Sequence, residues 1–120
     1  MKKLTKMSAA CACLALYYIS GQAEDTVLRI CKAHGYKEGE GMSDDSWKAA
    51  ATQLGINLRG LAIEPHTLRQ FIKNHPEGLY LVATHDHIFV VDNNLVIDPR
   101  YSNGLGLRRI IRQSWAVIKP

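Results

Sequence analysis

Gly78-Leu-Tyr-Leu-Val-Ala-Thr-His-Asp-His87-Ile-Phe-Val-Val-Asp-Asn93-Asn94-Leu-Val-Ile-Asp98-Pro99 holds two β-rich runs separated by an Asn-Asn pair. Asparagine tolerates the positive φ that a two-residue hairpin turn requires. A turn at Asn93-Asn94 sets Asp92 opposite Leu95, Val91 opposite Val96, Val90 opposite Ile97 and Phe89 opposite Asp98. Side chains alternate along a strand and cross-strand partners share a face, so His87, Phe89 and Asp98 fall on one side of the sheet. Asp98 is then a diagonal neighbour of His87, at a spacing of roughly 7–8 Å between Cα atoms. A carboxylate can reach an imidazole from there. An Asp that orients a His is the half of a nucleophilic triad that needs only a nucleophile to complete it.

The rest of the chain sets the limits of that reading. At 120 residues it is long enough for a single domain, 1–120, with its own core. Its hydrophobic share of 47% and charged share of 22% are ordinary for a globular protein. The net charge of +4 is modest, and its most one-sided stretch lies after Arg100, where Arg108, Arg109, Arg112 and Lys119 meet no acid. That basic edge reads as a solvated face. With Trp115 alone beside it, it falls short of a nucleic-acid surface, and no nucleic acid is expected as a partner.

Three cysteines, Cys11, Cys13 and Cys31, are an odd set and do not form a disulfide framework. Reduced thiols point to the cytoplasm. Residues 1–23 pull the other way. Lys2, Lys3 and Lys6 precede an apolar run from Met7 to Ile19 and then Ser20-Gly21-Gln22-Ala23, the layout of a secretory signal with cleavage after Ala23. The run is too short to span a membrane. The competing reading is a helix that is apolar all round because it is buried in a core.

Local signals place a first helix over 8–20, capped by Ser8 and ended by Gly21, and a second over Asp25–His34, stopped by Gly35. Val27, Ile30 and Cys31 form the second helix's apolar stripe, which makes Cys31 a small core hydrophobe. A glycine-bearing loop precedes a third helix opened by Ser43-Asp44-Asp45, with Trp47, Ala50, Ala51 and Leu54 inward and Gly55 at its end. Ile56 to Ile63 reads as a short extended piece. A fourth helix begins around Glu64-Pro65-His66-Thr67, turns Leu68, Phe71 and Ile72 inward and stops before Pro76. Strands follow at 79–84, 87–92 and 95–98. Alternation at Ile110, Arg112, Ser114, Ala116 and Ile118 predicts a last one. Helices first and antiparallel strands after make an α+β domain.

A nucleophile is best placed at a helix N-terminus, where the dipole favours a thiolate. Cys11 satisfies this at the start of the first helix. Cys13 lies about 200° further round and cannot share its pocket. His85 rivals His87 as a base: it is expected on the same face, but opposite Ser102 and far from Asp98. Cys11-x-Cys13 with His85-x-His87 also raises a metal site, although Cys-x-Cys in a helix is poor chelate geometry.

In this order, the motifs resemble the papain-like cysteine peptidases, and most of all the small papain-like proteins of phages and prophages that are similar to bacteriocin-leader peptidases. The residues that carry the resemblance are Cys11-Ala-Cys-Leu-Ala-Leu-Tyr-Tyr-Ile-Ser20-Gly21, Glu24-Asp-Thr-Val-Leu28, Gly39 and Gly41, Leu54-Gly55, Thr67-Leu68-Arg-Gln-Phe71, Gly78-Leu-Tyr80-Leu-Val82, His87-Ile-Phe-Val-Val91 and Asp98. The resemblance implies an N-terminal catalytic helix, with further helices packed on a C-terminal antiparallel sheet. It implies Cys11 as nucleophile, His87 as general base and acid, and Asp98 as orienter of His87. The reaction would be acyl transfer on a peptide or protein substrate, with no cofactor, no metal and no membrane partner. Such a protein would work in the cytoplasm, that of the host if phage-encoded, or outside the cell if residues 1–23 are removed. One departure stands out. The family's second oxyanion donor is a Gln or Asn shortly before the Cys, and residues 1–10 contain neither; Thr5 or Ser8 would have to substitute. That departure suits an inactive papain-like fold used as a binding or virion component.

Overall fold

The computed structural model describes residues 10–61, 66–85, 87–97 and 108–118. They fall into two compact units, 1–57 and 58–120.

The first unit is helical. Helix α1 (Cys11–Ser20) has no side-chain cap at its start, and it ends at Gly21, whose φ of 66° lets its N–H donate to the Tyr17 carbonyl. Ala12, Cys13, Ala15 and Leu16 are buried, whereas Tyr18 is exposed, so α1 is buried along one face rather than all round. Helix α2 (Glu24–Ala33) starts with Glu24 and Asp25 and carries Lys32 in its last turn, both favourable to its dipole. It buries Val27, Leu28, Ile30 and Cys31. Helix α3 (Asp44–Gln53) is capped by the Ser43 hydroxyl, which accepts from the Ser46 N–H at 3.2 Å. Its stripe Trp47, Ala50 and Ala51 is buried and continues to Leu54. The three helices touch one another pairwise. Gln22, between α1 and α2, donates from its amide to the Leu54 carbonyl at 3.0 Å, tying that link to the end of α3.

The second unit is built on a five-stranded sheet. Its strands are β1 (Asn57–Gly60), β3 (Leu79–Ala83), β4 (Ile88–Asp92), β5 (Leu95–Ile97) and β7 (Gln113–Ile118), in the spatial order β1-β7-β3-β4-β5. The pairs β3–β4, β3–β7 and β4–β5 are antiparallel. A second, two-stranded sheet joins β2 (His66–Thr67) to β6 (Ile110–Ile111). Helix α4 (Leu68–Asn74) follows β2 directly and opens with a full capping box: the Thr67 hydroxyl accepts from the Gln70 N–H and the Gln70 side chain accepts from the Thr67 N–H. The chain is thus α+β.

The hairpin behaves as its sequence requires. Asn93 and Asn94 have φ of 45° and 75°, the two positive values of a two-residue turn, and the register pairs Asp92 with Leu95, Val91 with Val96 and Val90 with Ile97. On one face of the sheet Val82, Phe89 and Val91 pack with Leu68 and Phe71 of α4 and with Ile111, and Tyr80 and Val96 lie against them. Leu81 and Val90, on the opposite face, are also fully buried. Burial on both faces explains the near-continuous apolar run of β4.

The C-terminal alternation holds for β7 but breaks before it. Ile111 is buried in the α4 cluster, and Ser114 pairs with Val82 and so shares that face. Strict alternation would match Ile111 with Gln113. Arg112 lies between the two strands and shifts the phase by one residue, which is what a bulge does.

Candidate functional site

Cys11 is the first residue of α1 and half-buried. A helix leaves its first N–H groups without intrahelical acceptors, so a group placed there meets backbone donors and the positive end of the dipole. Cys13 and Cys31, by contrast, are sealed in the first unit's core. The Cys13 sulfur lies 3.9 Å from the Met42 sulfur. Its thiol is held well above the ordinary range, first by its hydrogen bond with Cys31 and then by burial. The same contact favours the thiolate on Cys31, and burial opposes it. Of the three cysteines, Cys13 and Cys31 are fully buried and only Cys11 keeps exposed surface. The separation of Cys11 from Cys13 and the burial of Cys31 follow the helical spacing.

His87 belongs to the second unit. Thr84 closes the β3–β4 connection onto it, the Thr84 N–H donating to the His87 carbonyl at 2.8 Å. The imidazole is buried, with Nδ1 shut away from solvent, and it stacks on Phe89 with centroids 5.7 Å apart and planes at 25°. His87 and Phe89 therefore share a face, the one that α4 covers. Apolar packing fixes the ring in one orientation, as a base requires and as a core histidine also shows.

His85 departs from expectation. The register Ala83 with Ile88, closed by the Thr84–His87 bond, places His85 in the connection, exposed. It is not a strand residue on the His87 face. The reason is the turn: continuing the Asn93-Asn94 register back to His85 assumes a strand that β4 does not have, since β4 begins at Ile88. Asp98, the proposed orienter, lies outside the described residues, as do Thr5, Ser8 and the expected Phe89–Asp98 pair. Among the described residues no group of three or more His, Cys, Asp or Glu side chains could hold a metal ion. No helix among them is long and apolar enough to cross a membrane.

One feature of the second unit was not anticipated. Thr84, His85, Arg108, Arg109, Ile110 and Arg112 line a cleft of about 280 Å³ beside the end of β3. The signal was the acid-free stretch after Arg100, but nothing in it shows that the arginines converge with His85.

Compared with family models, with curated proteins and with solved structures, the chain matches none.

Proposed function

We propose that the chain is a papain-like cysteine hydrolase of peptidase or amidase type, with Cys11 as nucleophile, His87 as general base and acid, and Asp98 as orienter of His87. The single observation that carries the reading is the position of Cys11. It opens α1 and is half-buried, while Cys13 and Cys31 are sealed in the core. The buried, stacked imidazole of His87, just before β4, supports it, and so does the motif order along the chain.

In the proposed reaction His87 takes the Cys11 proton and the thiolate attacks a substrate carbonyl carbon. The oxyanion is met by the Cys11 backbone N–H. The C–N bond then breaks, and the leaving amine takes its proton from the imidazolium. Water, deprotonated by His87, hydrolyses the thioester and regenerates the thiol. The substrate is a peptide or protein. A second reading, an inactive papain-like fold with a binding or virion role, is favoured by the lack of Gln or Asn in residues 1–10. One lost oxyanion donor lowers the rate by about 10²–10³.

The test is brief, limiting alkylation of the folded chain at mildly acidic pH, followed by intact mass and peptide mapping. An ordinary thiol barely reacts there, whereas an activated one does. Label on Cys11 alone, with turnover of a peptide library abolished by Cys11→Ala and by His87→Ala but retained in Cys31→Ala, is the expected result. A full-length chain without a fast thiol supports the binding role. A mature chain that starts near Glu24 removes the nucleophile and refutes the hydrolase. Activity that needs Cys13 or Cys31 and not Cys11 reverses the assignment.

A further inference from the structure

The core of the first unit gathers three sulfur atoms that the proposed hydrolysis does not use. Cys13 on α1 and Cys31 on α2 are each 0% exposed, and their helices pack against one another. The two thiols are hydrogen-bonded to each other. The third sulfur is the thioether of Met42, in the loop before α3, 3.9 Å from the Cys13 sulfur. Met42 keeps exposed surface where the two cysteines have none, so its side of the cluster is the way in. Cys11 stands apart: two residues earlier on α1, it projects about 200° away from Cys13.

Thiolate and thioether sulfurs are soft ligands, and a set made of both selects copper(I). Calcium and magnesium take oxygen instead. Zinc in a structural site takes four ligands, and among the described residues no three His, Cys, Asp or Glu side chains group to supply them. Copper(I) accepts trigonal coordination by sulfur alone. The spacing fits it. Metal–sulfur bonds of about 2.3 Å in a trigonal plane hold the sulfurs about 4.0 Å apart, and the Cys13 and Met42 sulfurs already stand at 3.9 Å. A disulfide would join the two cysteines but make no use of the thioether. We propose that Cys13, Cys31 and Met42 form a site for one copper(I) ion. On binding, the S–H bond of each thiol breaks and an S–Cu bond forms, while the thioether donates a lone pair. Both thiol protons pass to water and no electron is transferred. The filled site carries one net negative charge. Cys13 lies in the first turn of α1, where N–H groups without intrahelical acceptors and the positive end of the dipole favour that charge.

The test is an anaerobic titration of the reduced full chain into the coloured copper(I)–bicinchoninate complex, whose bleaching counts the copper that the protein takes. One equivalent per chain is expected, with X-ray absorption showing only sulfur neighbours at about 2.3 Å. Met42→Leu keeps the volume and apolar character of the side chain. It is expected to weaken binding by at least the roughly tenfold that loss of an outer-shell partner costs a metal site. Cys31→Ala is expected to take no copper from the chelator. Circular dichroism verifies that both variants fold. Cys11→Ala is expected to bind like the parent chain, which separates this site from the hydrolase. A parent chain that bleaches nothing overturns the proposal. Copper uptake that is lost in Cys11→Ala, or untouched by both Met42→Leu and Cys31→Ala, overturns it as well. Oxygen or nitrogen neighbours around the bound copper identify an adventitious surface ion and overturn it too.

Discussion

Asn93 holds the hairpin on which the candidate base is mounted, and its two contributions can be measured apart. Its N–H donates to the Gly78 carbonyl at 2.9 Å, and its side-chain oxygen accepts from the Gly78 N–H at 2.8 Å. Its φ is 45°. Asn93→Ala removes the side-chain acceptor, a loss of about 1 kcal/mol, and leaves in the left-handed region a Cβ without the short polar side chain that makes the region tolerable for Asn, about 1 kcal/mol more. The sum is about 2 kcal/mol. Asn93→Gly loses the same hydrogen bond but meets no steric penalty at positive φ, so about 1 kcal/mol is expected. Urea unfolding of both variants reads the difference, because the midpoint shifts with stability while the slope stays constant. In thermal scans each 1 kcal/mol corresponds to a drop of about 3–6 °C for a chain of this size. If Ala at this position is no worse than Gly, the positive φ carries no strain and the turn argument fails. If neither variant changes the midpoint, the Gly78 hydrogen bond contributes nothing.

Phe71 is fully buried and stacks on His75 at 4.5 Å, with the Tyr80 ring edge-on at 5.4 Å. Phe71→Ala is expected to lower stability by about 3–5 kcal/mol, read by urea unfolding; a loss below about 1 kcal/mol would mean that α4 is not the cover of that sheet face. Stability should also fall at alkaline pH. The hydrogen bond to Cys31 and burial raise the Cys13 thiol, and burial first of all raises the Tyr36 phenol. Both groups hold their protons more tightly when folded, so their contribution is complete below the unfolded values, and is lost as pH rises past 9.0 for the thiol and 10.0 for the phenol. The limiting slope is about 1.4 kcal/mol per pH unit per group. Cys13→Ala should flatten the first part of that decline, and a flat profile for the parent chain between about pH 8 and pH 11 would refute the assignment.

Much of the local structure was legible because short-range chemistry dictates it. Gly21 ends α1, Ser43 caps α3 and Asn93-Asn94 turns the hairpin. Each depends on residues within a few positions of one another, so the pattern can be read off the chain. The inward positions of α2, α3 and α4 were legible for the same reason, since helical spacing puts them on one stripe. His87 and Phe89 share a face because a strand's side-chain period is two. The misreading of His85 came from extending a strand register through a turn. Nothing within a few residues of His85 marks where β4 begins; the Thr84–His87 bond does.

By itself the sequence determined the order of the helices and of the strands of the main sheet, the hairpin register and the odd set of three thiols. Its local pattern reads His66–Thr67 as the start of a helix. The chain instead forms β2 there by pairing with β6, a partner more than forty residues away. Tertiary structure decided the rest. Only the fold inserts the last strand, β7, between the first, β1, and β3, because strand pairing is a long-range choice with no local signature. Only packing ranks the cysteines, sealing Cys13 and Cys31 and leaving Cys11 half-buried at the head of α1. The phase shift at Arg112 likewise comes from two backbone anchors far apart in sequence, Leu68 bonded to Arg109 and Ala83 bonded to Arg112. Those anchors gather arginines that read as a solvated edge around one cleft, because charge convergence depends on distance in space, which spacing along a chain does not measure.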